Sequence, residues 1–192
     1  SGASWPGGNA ISTMLGAGTS GVCGTSNAMV RSLAAGGPAS GVASAQDAGS
    51  TVLYAGMAGT LDGGGSYGGH IFANYGAATA GESTIWADIE TGTVTNDAAN
   101  AGRFNPGGFD VSSVVADAHD ATGKTVYATV MGLSGNGTSE PHVYRSLDGG
   151  AHWVNITSNL PDAPANALVV DPNDANTVYV AATKVHNQAL RR

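Results

Sequence analysis

Three stretches of this chain share one alternation of apolar and polar positions. They are SGVASAQDAGSTVLYAGM (40–57), SSVVADAHDATGKTVYATVMG (112–132) and NALVVDPNDANTVYVAAT (166–183). Each runs from an apolar stretch through a polar turn containing Asp into a second apolar stretch centred on LYA, VYA or VYV. Val, Tyr and Thr fit a pleated, half-buried surface, and Asp, Asn and Gly favour turns, so each stretch predicts an antiparallel β-hairpin. A less regular outer pair follows two of the three. HVYRSLDGGAHWVNIT (142–157) reads as a strand at 142–145, a turn, and a strand at 153–157. GGHIFANYGAATAGESTIWADI (68–89) is its longer counterpart, with Ile71 and Phe72 in the places of Val143 and Tyr144 and Trp86 in the place of Trp153. The third stretch has no outer pair, because after Thr183 the chain reads KVHNQALRR, polar and unpatterned.

The plan is therefore inner pair, outer pair, next unit, which predicts an all-β chain of antiparallel four-stranded sheets in series. Tyr54, Tyr127 and Tyr179 mark intervals of 73 and 52 residues. The surplus over a plain unit of about 40–50 residues falls in loops at 59–69, 92–108 and 133–140. A short helix is expected at Asn27–Ala35, and no long amphipathic helix is visible. The chain divides into a Gly/Ser-rich segment belonging to a preceding unit (1–39), a first repeat (40–111), a second repeat (112–165), and the start of a third with a polar tail (166–192).

Composition narrows the function classes. The 192 residues are 42% hydrophobic, enough for a core, and the 30 glycines suit a chain that turns often. Net charge is −7, with seven basic residues and no Lys/Arg cluster before Arg191 and Arg192, which excludes nucleic acid and anionic membrane surfaces as partners. No apolar run approaches the ~18 residues of a membrane span. Cys23 is the single cysteine, so no intrachain disulfide can form, and it reads as a small buried hydrophobe. Only 11% of residues are charged, and the sequence starts at Ser1 without a Met. Together these set the expectation of a secreted or periplasmic protein whose leader has been removed.

Ser146, Asp148, Gly150 and Trp153 stand as S-x-D-x-G-x-x-W after Val-Tyr-Arg. This stretch resembles the Asp-box, the BNR repeat of sialidases, xyloglucanase-type glycoside hydrolases and sortilin-like receptors. LPDAPANALVVDPNDANTVYVAAT (160–183) is similar to secreted bacterial proteins of that group. The resemblance covers about Ser40 to Thr183, with one good box and one degenerate one. It implies that the sheets are blades of a β-propeller, of which this chain holds about two and a half to three. It also implies that the box is a structural turn on the outer rim, away from any active site. The residues suit a turn: Asp148 can accept backbone N–H groups, Gly149 and Gly150 can take positive φ, and Trp153 can bury a large ring.

Other constellations are weaker. GAGTSG (16–21) lacks the acidic residue about 20 positions on that a dinucleotide fold needs. Arg31, Arg103 and Arg145 with Glu82, Glu90 and Glu140 form no motif of a sialidase site. The acids Asp62, Asp88, Asp110, Asp117 and Asp171 cannot be matched to a catalytic pair. Asp117 and Asp120 occupy the same place in their repeat as Asp171 and Asp174, which reads as turn duty. His70, His119, His142, His152 and His186 show no metal spacing, so no metal or cofactor is expected; Ca²⁺ is the one ion the oxygen-rich stretches 62–69 and 171–176 could take. Trp5, Tyr67 and Tyr75 stand in Gly-rich loops and are the candidate ligand-contacting aromatics. Asn136 and Asn155 fit the glycosylation sequon.

The expected function is a non-catalytic Asp-box β-propeller module of a secreted bacterial protein, binding carbohydrate or another protein through its loops. The alternative is part of a glycoside hydrolase resembling the xyloglucanase type, acting on β-glucan-like polysaccharide. A ring needs at least about four blades, so copies of the chain are expected to complete one another as a homo-oligomer, or the chain to be part of a longer protein.

Overall fold

The computed structural model describes residues 30–37, 52–58, 69–75, 86–135 and 139–183. Eleven strands and one 3-10 turn (Ala98–Asn100) make up its regular structure. The first sheet is an antiparallel meander of β1 (Val30–Gly36), β2 (Val52–Met57), β3 (Ile71–Asn74) and β4 (Ala87–Asp88), in that order. The second repeats the meander with β6 (Val111–Ala116), β7 (Val126–Val130), β8 (Val143–Ser146) and β9 (His152–Asn155). It gains a fifth strand, β5 (Thr93–Val94), which pairs parallel to β9. The third sheet is the hairpin β10 (Ala165–Asp171) and β11 (Asp174–Ala182). All pairings but β5–β9 are antiparallel. The described residues do not close into a barrel.

Three expectations need correction. Asn27–Ala35 was expected to be a short helix, but Val30–Gly36 is strand. Leu33 and Ala34 pair in register with Ala55 and Tyr54 of β2, so tertiary pairing overrides the helix propensity of a Leu-Ala-Ala run. The first sheet therefore includes β1, upstream of the boundary drawn at Ser40. The stretch 92–108 is not surplus loop, because it supplies β5, buried Phe104 and buried Asn105. The second sheet consequently has five strands rather than four.

Alternation along the strands sorts side chains into layers. Val126, Ala128 and Val130 of β7 face the first sheet and join Val52, Tyr54, Ile71, Ala73, Val111, Val114, Tyr144 and Trp153 in the largest core cluster. Tyr127, one step out of phase, faces the third sheet and packs with Val143 and Leu168, flanked by Val115, Val178 and Val180. The inner strand β6 contacts β1 and β2 on one side and β10 on the other, so the sheets stack in chain order through their inner strands.

The first two sheets approach closely at a pair of glycines. A Cβ on Gly36 would lie 2.7 Å from Gly123 Cα, and one on Gly123, whose φ is +69°, would lie 2.6 Å from the Gly36 carbonyl carbon. Only residues without a Cβ let the two backbones touch there. The contact places the Gly123 carbonyl where Tyr54 donates its hydroxyl, at 2.7 Å. Tyr54 is fully buried, and that burial pushes its phenol well above the ordinary range, helped by the charges of Asp120 and Asp148 and by Tyr75.

Candidate functional site

The S-x-D-x-G-x-x-W stretch forms the β8–β9 turn, and every one of its marked residues has a structural task. Ser146 Oγ donates to Asp148 Oδ1 at 2.9 Å and accepts the Gly150 N–H at 2.8 Å. Asp148 Oδ1 also accepts the His152 N–H at 2.9 Å, and Oδ2 lies 2.7 Å from His152 Nδ1. Partial burial alone would raise the Asp148 pKa. The hydrogen bonds from His152 and Ser146 outweigh it and hold the carboxylate below its usual range. Gly149 and Gly150 have φ of +77° and +100°, the left-handed backbone that lets the chain reverse so tightly. Trp153 is fully buried, donates its indole N–H to the Ile89 carbonyl at 2.9 Å, and packs on Phe104 with ring centroids 4.9 Å apart.

Tyr75, named from sequence as a ligand-contacting aromatic, docks on this same turn. Its hydroxyl donates to the Gly149 carbonyl at 2.6 Å, and its ring leaves no room for a Cβ on Gly149. It is still 41% exposed, so one ring face remains open to solvent. Trp5 and Tyr67 lie outside the described residues. So do Cys23, the 16–21 glycine stretch, Asp62, Glu82, Asn136 and His186.

Among the described residues Asp117, Asp120, Asp171 and Asp174 are engaged in turns. Asp117 Oδ1 accepts the His119 N–H and Asp120 Oδ1 the Thr122 N–H; one repeat later Asp171 Oδ1 accepts the Asn173 N–H and Asp174 Oδ1 the Asn176 N–H. These are Asx turns at matching places in the two hairpins. Burial works against ionised Asp120, but hydrogen bonds from Thr122 and Thr125 prevail and lower its pKa to about 2. The Asp171 and Asp174 oxygens are further taken by Tyr179 and Thr177, which leaves the 171–176 stretch poorly suited to the Ca²⁺ considered from sequence. Asp162 accepts the Ser134 N–H and faces His142 Nε2 at 3.1 Å, and Asp110 pairs with Arg31 at 2.5 Å.

Glu140 is buried in a different setting, and sequence reasoning did not single it out. Its carboxyl fills the slot left by Gly107 and Gly132 beside the Phe109 ring. Oε2 accepts the Gly107 N–H at 2.8 Å, while buried Oε1 has no hydrogen-bond partner. Burial is the main cause that raises its pKa, to about 7, with the charges of Asp97 and Asp162 adding to it. Glu140 is only 3% exposed. Because the folded pKa lies above the unfolded one, stability from this group is complete below about pH 4.5 and is lost as pH rises towards 7. Glu140→Gln should therefore be more stable than the parent at pH 8. The shift sets an upper bound of about 3 kcal/mol, of which local relaxation leaves roughly 1–2. Urea unfolding at pH 4 and pH 8 checks this: the advantage should vanish at the lower pH.

Exposed apolar side chains lie at both ends of the described sheets. On the third sheet Val169 and Tyr179 are directly opposite one another and 58% and 59% exposed, on the face turned away from Tyr127. On the first sheet Leu33, opposite Ala55, is 70% exposed on the face turned away from Ala34 and the main core. An apolar cavity of about 370 Å³ lies between the second and third sheets, lined by Val115, Ala116, His119, Leu168 and Val170 among others. Among the described residues no helix is long and apolar enough to cross a membrane. No protein-family model matches the chain, and no curated protein matches it.

Proposed function

We propose that this chain is a non-catalytic Asp-box β-propeller module of a secreted protein, which acts by association and binding rather than by hydrolysis. Two four-stranded meanders in series, stacked through their inner strands with an S-x-D-x-G-x-x-W turn on an outer pair, support the blade reading. The engagement of the described aspartates in Asx turns and ion pairs supports the non-catalytic one.

One observation carries the mode of action. Equivalent tyrosines mark the face that each sheet turns towards the next: Tyr54 is buried against the second sheet and Tyr127 against the third. Tyr179 holds the same place in the third sheet and stands exposed beside Val169. A face of this design is complete when another sheet covers it. At the first sheet Leu33, on the edge strand β1, is exposed, while Ala55, Met57 and Phe72 on the same face are buried. Head-to-tail contact between copies sets the Tyr179 face against the Leu33 edge, and such a heterologous contact closes into a ring when the rotation per chain allows it.

Light scattering on a sizing column tests the reading. The parent should run as a closed oligomer of the 18.9 kDa chain. Val169→Glu combined with Tyr179→Lys should give monomers, and so should Leu33→Glu at the other end. Mixing the two variants should restore one interface and give dimers, since each retains the face the other lacks. A monomeric parent would overturn the closure.

A further inference from the structure

At the outer edge of the first sheet, His70, Asp88 and Glu90 converge from separate parts of the chain. His70 directly precedes β3, and its carbonyl accepts the Met57 N–H at 2.9 Å. Asp88 ends β4 opposite Phe72, and the next residue, Ile89, donates its N–H to the Ile71 carbonyl at 2.9 Å. Ladder bonds on both sides thus fix the three backbones. Ile89 between the two acids enters the core, and the chain turns at Glu90, with the Gly92 N–H donating to the Ile89 carbonyl at 3.2 Å. Asp88 Oδ1 is held by the Glu90 N–H at 3.1 Å, which leaves Oδ2 directed at the imidazole.

The donor atoms are close but do not satisfy one another. His70 Nδ1 lies 2.7 Å from Glu90 Oε2 and 3.4 Å from Asp88 Oδ2. Those distances suit an ion pair, yet neither oxygen meets hydrogen-bond geometry, and both ring nitrogens of His70 are buried without a hydrogen-bond partner. His70 is only 8% exposed. One atom from each residue falls within 4.8 Å of the others. A tetrahedral ion with bonds of about 2.0–2.2 Å needs donors about 3.3 Å apart, and this cluster spans that value.

We propose that His70, Asp88 and Glu90 form a three-ligand site for a divalent transition-metal ion, Zn²⁺ by its donor set. One imidazole nitrogen and two carboxylate oxygens match a borderline ion that takes three protein ligands and keeps one position open. Ca²⁺, which prefers six or more oxygens and no nitrogen, fits poorly. The bound ion ties the start of β3 to the end of β4, cross-linking the outer pair of the first sheet at the end away from the β3–β4 connection. This inference does not depend on the propeller reading.

Calorimetric titration of the full chain with ZnCl₂, alongside a thermal-shift series, tests it. One equivalent should bind and raise the melting temperature. His70→Gln should abolish that binding. Glu90→Gln, a milder change at a side chain 32% exposed, should keep the fold and weaken binding about 100-fold or more. Ca²⁺ at equal concentration should not displace Zn²⁺. No binding by the parent, undiminished binding by folded Glu90→Gln, or displacement by Ca²⁺ would overturn the assignment.

Discussion

Trp153→Ala should destabilise the protein by about 4–5 kcal/mol, the upper end of what removing a buried aromatic costs. Trp153 has no exposed surface and lies at the junction of both sheets and the segment between them. Its ring supports Phe104, which in turn packs on Tyr144 with centroids 4.4 Å apart. Its N–H is the partner of the Ile89 carbonyl, so truncation opens a cavity and also leaves a buried acceptor unpaired. A domain of this size has a total stability of about 5–15 kcal/mol, and the variant should therefore unfold at low urea or fail to accumulate. Trp153→Phe keeps much of the ring but not the donor, and should cost about 2 kcal/mol less than the alanine variant. Equal losses for the two would show that the hydrogen bond, not the packing, dominates.

Asn105→Ala should cost about 3–4 kcal/mol, although the side chain is small. Asn105 is buried, and its φ of +46° places it in the left-handed region that Asn tolerates better than Ala. Its amide donates to the Gly69 carbonyl at 2.8 Å and the Phe109 carbonyl at 2.7 Å, and its oxygen accepts the Phe109 N–H at 3.0 Å. Its own N–H donates to the Tyr144 hydroxyl at 3.1 Å. One residue thus ties the entry to β3, the entry to β6 and a core tyrosine. Asn105→Gly relieves the backbone strain but none of the lost bonds, and should recover about 1 kcal/mol relative to alanine. Asn105→Asp turns a donor into an acceptor facing two carbonyls and should be no better than alanine at neutral pH. Chemical denaturation of the three variants gives the ranking.

What the sequence revealed follows from the range over which each signal acts. The hairpins 112–132 and 166–183 were legible because alternation, β-branched residues and an Asp-containing turn lie within about twenty positions of one another. The Asp-box was legible for the same reason, and its serine, aspartate and glycines interact within the turn itself. Val30–Gly36 was not legible. Its Leu-Ala-Ala run has no strand signature, and its partner Val52–Met57 lies beyond a long connection. The role of Asn105, within the stretch read as loop at 92–108, was not legible, because its Gly69 and Tyr144 partners are 36 and 39 residues away. The His70 cluster was missed through the same lack of locality: metal spacing was sought among histidines, whereas two of the three donors are carboxylates reached across β3 and β4. The signal that was present, two acids in Asp-Ile-Glu where a short strand ends in a turn, gains meaning only once His70 is beside it.

The pairing of β5 with β9 bears on how such a chain could have grown. Thr95 donates its N–H to the Trp153 carbonyl at 2.9 Å, and the Asn96 side chain exchanges hydrogen bonds with Asn155 at 2.9 and 2.8 Å, so a segment preceding the second repeat seals that repeat's outer edge. The span that recurs in sequence and the span that covers its own edges are therefore staggered. A gene duplication copying 112–165 alone would transmit a sheet with a bare outer edge, open to pairing with other chains. One beginning near Trp86 would carry its cover with it. A duplicated span that keeps its own edge covered therefore begins inside the preceding unit, before the place where the repeat can first be recognised.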